Sequence, residues 1–137
     1  MATLEQNKKA VETLLNTVFR NHDFSKVDEI MQDNYIQHNE DCPQGKDGFI
    51  KFFQEIFKGV PDFSYTKKRI VAEGDIVMLY ATTTGTHKGE WLGCAPTGNK
   101  LNFDVIDVFR MEDGKIAEHW DVADTLKLFT QIGKVKA

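Results

Sequence analysis

Between Phe103 and Asp124 the chain reads FDVIDVFRMEDGKIAEHWDVAD, where Asp104, Asp107, Glu118, His119 and Asp121 interrupt two otherwise apolar runs around Asp113-Gly114. Burying a carboxylate without partners is costly, and such a group shifts its pKa instead, so acids set among Phe, Val and Trp belong to an edge or to a site. A carboxylate raised toward neutral pH can take a proton from carbon beside a carbonyl and return it. Asp121 is the leading candidate for that base, with Asp107 as second acid. His38, in Tyr35-Ile36-Gln37-His38-Asn39, could orient a carbonyl or accept a proton. Duller roles stand beside these: Asp121 capping a helix or pairing with Arg110, Asp107 as a satisfied buried acid, His38 as a hydrogen-bonded strand residue.

Which of these side chains share a face depends on the hairpin turn, because a one-residue slip regroups them all. If Asp113-Gly114 is a two-residue loop, Met111 pairs with Ile116, Asp107 lies opposite Trp120, and Glu118 is diagonal to Asp107. If Glu112-Asp113-Gly114 is a three-residue loop with a bulge at Gly114, Met111 pairs with Lys115, Asp107 faces His119 and Val105 faces Asp121. The second register sorts polar from apolar more cleanly and is preferred. It gathers Asp107, His119 and Asp121 on one face. It leaves Ile106, Val108, Ile116, Trp120 and Val122 on the other, where Arg110 and Glu118 approach each other. In both registers Asp107 shares a face with Phe103, Val105 and Phe109.

The elements that must carry this hairpin are legible from periodicity. Thr3 and Gln6 form a capping box, and Leu4, Val11, Leu14, Leu15, Val18 and Phe19 follow at helical spacing. A short helix is predicted from about Ser25 to Met31, then a short strand over Tyr35 to Asn39. A third helix over about Asp47 to Gly59 aligns Phe49, Ile50, Phe53, Ile56 and Phe57, with Phe52 adjoining. From Asp62 the period falls to two, predicting a hairpin of Phe63 to Glu73 and Asp75 to Lys88 that turns at Gly74. Gly89 to Asn99 is a loop holding Trp91, and Leu126 to Ile132 is a last helical turn ending at Gly133. Helices followed by a strongly bent antiparallel sheet make an α+β arrangement with the helices on one sheet face. Phe49, Phe52, Phe53, Phe57 and Trp91 are candidates for an aromatic pocket wall, though a Phe stripe at helical spacing is more often core.

Composition removes several function classes. The 137 residues suit one domain, 1–137, and 17 basic against 21 acidic residues give a net charge of −4, which argues against a nucleic-acid partner. No apolar run approaches the length of a membrane span. Cys42 and Cys94 form no Cys-x-x-Cys pair and no secretory leader precedes the first helix, so free thiols in a cytoplasmic setting are expected. His22, His38, His87 and His119 lack the close spacing of zinc motifs. No metal and no cofactor is expected.

The order of helices, Tyr35-Ile36-Gln37-His38-Asn39, the aromatic helix, Gly93-Cys94-Ala95-Pro96-Thr97-Gly98, Asp107-Val108-Phe109-Arg110 and Glu118-His119-Trp120-Asp121 resembles the SnoaL-like family. That family contains polyketide cyclases and lies within the NTF2-like superfamily, with ketosteroid isomerase and scytalone dehydratase. The resemblance covers nearly the whole chain. It implies a conical α+β barrel, a curved sheet wrapped around helices with a pocket between them. It also implies an acid/base aspartate directly after the hairpin Trp, which falls on Asp121. The family's cyclases carry a histidine at the position matching Asp107. Here two acids on one face would share a proton more readily than both ionise.

The expected function is therefore a small cofactor-independent acid/base enzyme for a hydrophobic carbonyl compound. The cyclase version is an intramolecular aldol condensation. Asp121, Asp107, His38 and His119 are its candidate catalytic residues. Tyr35, Asn39, Phe49, Phe53, Phe57, Trp91, Phe109 and Trp120 are candidate substrate contacts. Isomerase-like or dehydratase-like proton transfer and a non-catalytic ligand-binding protein are the alternatives. A homodimer is expected too, because the face bearing Ile106, Val108, Trp120 and Val122 would otherwise leave an apolar patch outside.

Overall fold

The computed structural model describes residues 2–135. Helix α1 (Leu4–Leu14) starts on the Thr3–Gln6 capping box and runs into a wider π-helical stretch, Leu15–Arg20. Together they bury Val11, Leu14, Leu15, Val18 and Phe19, whereas Leu4 stays exposed. Helix α2 is a single turn, Val27–Ile30, and strand β1 (Met31–Gln37) begins at once, through the polar Gln32 to Asn34. Helix α3 (Gly45–Gly59) buries Phe49, Phe53 and Ile56. Strands β2 (Ser64–Glu73), β3 (Ile76–Thr86), β4 (Lys100–Glu112) and β5 (Lys115–Ala123) follow, with α4 (Thr125–Gln131) last.

The five strands form one sheet in the order β1-β5-β4-β3-β2. Two features correct the expected architecture. The sheet is mixed, because β1 lies parallel to β5, and it is not closed into a barrel, since β1 and β2 remain its edges. Helices α1 and α3 cover one face, where Phe19, Phe49, Phe53 and Tyr65 pack with Phe19 centroids 5.0 Å from Phe53 and 4.4 Å from Tyr65. Burial of these large rings is the main apolar contribution to holding helices on sheet.

The β4–β5 hairpin follows neither predicted register along its whole length. Asp113 and Gly114 both have positive φ, +52° and +78°, so the turn is the two-residue mirror-image type and Met111 pairs with Ile116. One pair further on the register shifts. Ala117 is an extra residue on β5, and beyond it Arg110 pairs with Glu118, Phe109 with His119 and Asp107 with Asp121. The bulge sits in the strand and not at Gly114. Relative to the preferred register the pairing has moved by two residues, which leaves every side chain beyond it on the same face. Ile116 precedes the bulge, and it is buried in the core, not on the outer face.

Candidate functional site

Asp107 and His119 are each 2 % exposed, and His119 Nε2 lies 2.8 Å from Asp107 Oδ1. The other imidazole nitrogen, Nδ1, is 2.9 Å from Oε1 of Gln37, which the parallel β1–β5 pairing sets beside His119. Phe109 stacks on the imidazole at 4.8 Å. Asp107 Oδ2 is buried with no hydrogen-bond partner among the described residues. Burial lifts the Tyr65 hydroxyl well above its ordinary pKa, and the nearby Asp107 and Asp121 push the same way, so it stays a neutral donor.

Asp121 stands opposite Asp107 on the hairpin, only partly buried, and accepts from the Asn39 amide at 3.2 and 3.4 Å. Its carboxyl is raised above the ordinary aspartate value, chiefly by desolvation. Asp107 and Asp41 add to the rise, while His119 and the Asn39 hydrogen bond oppose it. Asp121 lines a cavity of about 540 Å³, whose apolar wall includes Phe53, Phe63, Trp91, Phe103, Val105 and Leu128. That volume suits a small organic molecule. Asn39, Tyr65, Thr83, Thr125 and Lys134 are polar residues of the same lining, and the exposed Asp41 also borders it. Trp91 is seated by Gly59 at the end of α3, where an added Cβ would lie 2.7 Å from Trp91 Cβ.

Of the residues expected at the site, Asp107, His119 and Asp121 converge, and Asn39, Phe53 and Trp91 border the cavity. Others are placed elsewhere. His38 turns to the outer face, where it hydrogen-bonds Glu118 and stacks on Trp120 at 4.7 Å, so neither ring reaches the cavity. Strand alternation is the reason: Gln37 faces inward, and its successor faces out. Phe49 is fully buried core, and Phe57 stacks on His22 at 3.7 Å. Phe109 backs His119, and the Tyr35 hydroxyl accepts from Gln37 Nε2 at 2.9 Å. Tyr35 and Phe109 thus support the site from behind.

Gln37, Tyr65 and Thr83 were not among the residues singled out from sequence. Tyr65 and Thr83 are cross-strand partners, and the period-two pattern from Phe63 would have put Tyr65 inside. Gln37 carried no signal beyond its polar type. Among the described residues Asp107 pairs with His119 and Asp121 with Asn39. Asp107, His119 and Asp121 offer atoms within 4.8 Å of one another, a spacing a cation could bridge. Both His119 nitrogens are already engaged, by Gln37 and by Asp107, while Asp121 is held by Asn39, so the imidazole has no uncommitted nitrogen to offer a cation.

Known proteins share this framework. TsrD from Streptomyces laurentii is 27% identical and superimposes with a TM-score of 0.90 over 98% of this chain and 100% of its own. AclR, a proposed hydroxylase from Streptomyces galilaeus, is 28% identical with a TM-score of 0.87, over 98% of this chain and 85% of that one. Nogalonic acid methyl ester cyclase from Streptomyces nogalater is 32% identical over 65 residues, 47% of this chain, and the match spans about half of that cyclase, 48%. The family model for SnoaL-like polyketide cyclases matches residues 9–132, and the chain belongs to that family.

Proposed function

We propose that the protein is a cofactor-independent acid/base enzyme that carries out a cyclase-type intramolecular aldol condensation on a hydrophobic polyketide-like carbonyl compound. The observation that carries this reading is Asp121: a desolvated carboxylate with raised proton affinity, oriented by Asn39, on the wall of an otherwise apolar cavity. A base with these properties removes the proton from carbon beside a carbonyl, and the resulting enolate forms a carbon–carbon bond to a second carbonyl of the same molecule. The alkoxide so formed takes up a proton, and protonated Asp121 is its source. Tyr65, neutral and part of the same lining, is the donor to the developing enolate oxygen. Asp107 and His38, the donors expected from sequence, are respectively buried behind the wall and directed outward.

Proton abstraction is testable without knowing the natural substrate. Bicyclic and tricyclic diketones incubated with the protein in deuterium oxide should exchange hydrogen at carbon beside the carbonyl, read by NMR. Asp121→Asn keeps the shape and should slow exchange by about 10²–10⁴-fold. Undiminished exchange in that variant removes Asp121 from the role. Exchange without a cyclised product would place the chemistry with isomerase-type or dehydratase-type proton transfer.

We also propose that a second copy of the chain covers the outer sheet face, where Ile106 is 41% and Val122 72% exposed. Analytical ultracentrifugation at micromolar concentration should show a dimer, and a monomer throughout would contradict this. Among the described residues no helix is long and apolar enough to cross a membrane. The free Cys42 and Cys94 suit a reducing cytoplasm.

A further inference from the structure

Gln37 is 3% exposed, and its amide orientation is fixed by its neighbours. Its Oε1 accepts from the backbone N–H of His38 at 3.1 Å and of Asn39 at 3.3 Å, two groups that can only donate. Its Nε2 donates to the Tyr35 hydroxyl at 2.9 Å and faces Cys42 Sγ at 3.6 Å. Turning the amide over would set its NH₂ against two N–H donors. The backbone around it is held as firmly, because Gln44 accepts from the Gln37 N–H at 3.1 Å and donates to its carbonyl at 2.6 Å.

An acceptor therefore stands 2.9 Å from His119 Nδ1, so Nδ1 must carry a hydrogen. The consequence falls on the other nitrogen. With Nδ1–H fixed, the 2.8 Å contact between Nε2 and Asp107 Oδ1 needs a proton of its own, on nitrogen as imidazolium with carboxylate or on oxygen as neutral imidazole with carboxylic acid. Without that proton two lone pairs would meet in a buried site. In both arrangements the pair is neutral overall, which is what two groups 2 % exposed require.

We infer that Gln37 is a positioning residue: it holds His119 as the Nδ1–H form, which obliges the Asp107–His119 pair to keep one shared proton and leaves Asp121 as the acid that exchanges protons with the cavity. The inference rests on the proposed role of Asp121 for its catalytic meaning, but the tautomer follows from Gln37 alone. The groups that face this network are few. Asp107 comes from β4, Asp121 from β5 itself and Tyr65 from β2, while Tyr35 and Cys42 are linked to it through the Gln37 amide. Asp41 acts on Asp121 from the cavity border, and the cation Lys134 lines the same cavity. A neutral pair opposite Asp121 lets that carboxylate ionise without a full like charge beside it. If His119 were free to carry its hydrogen on Nε2 alone, Asp107 would be ionised across from Asp121, and the base would be harder to deprotonate.

Long-range ¹H–¹⁵N correlation NMR of the imidazole nitrogens reads this directly, with His119 assigned through its contacts to Phe109. In the wild-type protein Nδ1 should be protonated across the pH range in which the chain is folded. Gln37→Met removes the acceptor and should release the Nε2–H form at the alkaline end. Gln37→Glu keeps an acceptor for both backbone N–H groups and for Nδ1–H, so it should retain the wild-type signature. Unprotonated Nδ1 in the wild-type protein, or in Gln37→Glu, overturns the inference even if Gln37→Met fails to fold. With an exchangeable ketone, the acid limb of the rate profile of Gln37→Met should move up by about one pH unit. A changed tautomer with an unmoved limb overturns the coupling to Asp121. Activity unchanged in Asp121→Asn with the tautomer as expected would instead sink the proposed function and leave the assignment of Gln37 standing.

Discussion

The two faces of the β4–β5 hairpin hold the same kinds of residues and use them differently. On the outer face His38 and Arg110 both bind Glu118, with Arg110 Nε 2.8 Å from Glu118 Oε1, and all three side chains reach solvent. On the inner face His119 and Asp107 are sealed from water, and the remaining imidazole nitrogen meets a neutral amide. Glu118 and Asp121 lie three residues apart on one strand. The outer acid is pushed below its ordinary pKa by hydrogen bonds to Arg110 and His38, and the inner one is pushed above it by desolvation. Solvent screening and the Arg110 guanidinium make the outer set an adhesive between strands. Burial turns the inner set into groups whose protons matter.

The largest break in this contrast should come from stranding one inner partner. His119→Leu leaves Asp107 buried and unpaired and should cost about 3–5 kcal/mol of stability, measured by urea denaturation. The double variant Asp107→Leu with His119→Leu should recover most of that loss, because no buried charge remains. A single-variant cost below about 1 kcal/mol would mean the inner pair behaves like an exposed one. The matching outer change, Glu118→Gln, should cost only about 0.2–1 kcal/mol, and less at high salt.

How far this contrast was legible in the sequence depended on strand parity. Asp107, His119 and Asp121 were grouped correctly, yet neither proposed register is the one observed. The hairpin absorbs its extra residue at Ala117, within the strand, and a displacement of two residues preserves which side chains share a face. Nothing in an alanine between Ile116 and Glu118 announces a bulge. The amphipathic helices and the α+β order followed from periodicity, since a core must be buried on one stripe. The parallel β1–β5 pairing did not, because Gln32 to Asn34 carry no apolar alternation and the edge strand is held by long-range contacts. That pairing is what brings Gln37 to His119, so the residue that orients the imidazole was invisible for the same reason.

The smallest expected effects separate the faces by sign. Glu118 has a folded pKa below the unfolded one, so its stabilising contribution is present above the unfolded value and is lost as pH falls through the folded value. Glu118→Gln should therefore be less stable than wild type at pH 7, with the gap closing on acidification. For Asp121 the shift is upward. Its contribution is present below the unfolded value and is lost as pH rises through the folded one, so ionising it at neutral pH works against folding. Asp121→Asn should then be slightly more stable than wild type at pH 7 and no more stable at pH 3, read as denaturation midpoints of both variants across that range. If both variants lose stability at pH 7, Asp121 is an ordinary structural acid. A stability gain on removing it, together with loss of proton exchange, is the pattern of a carboxylate kept at a folding cost because its chemistry needs it there.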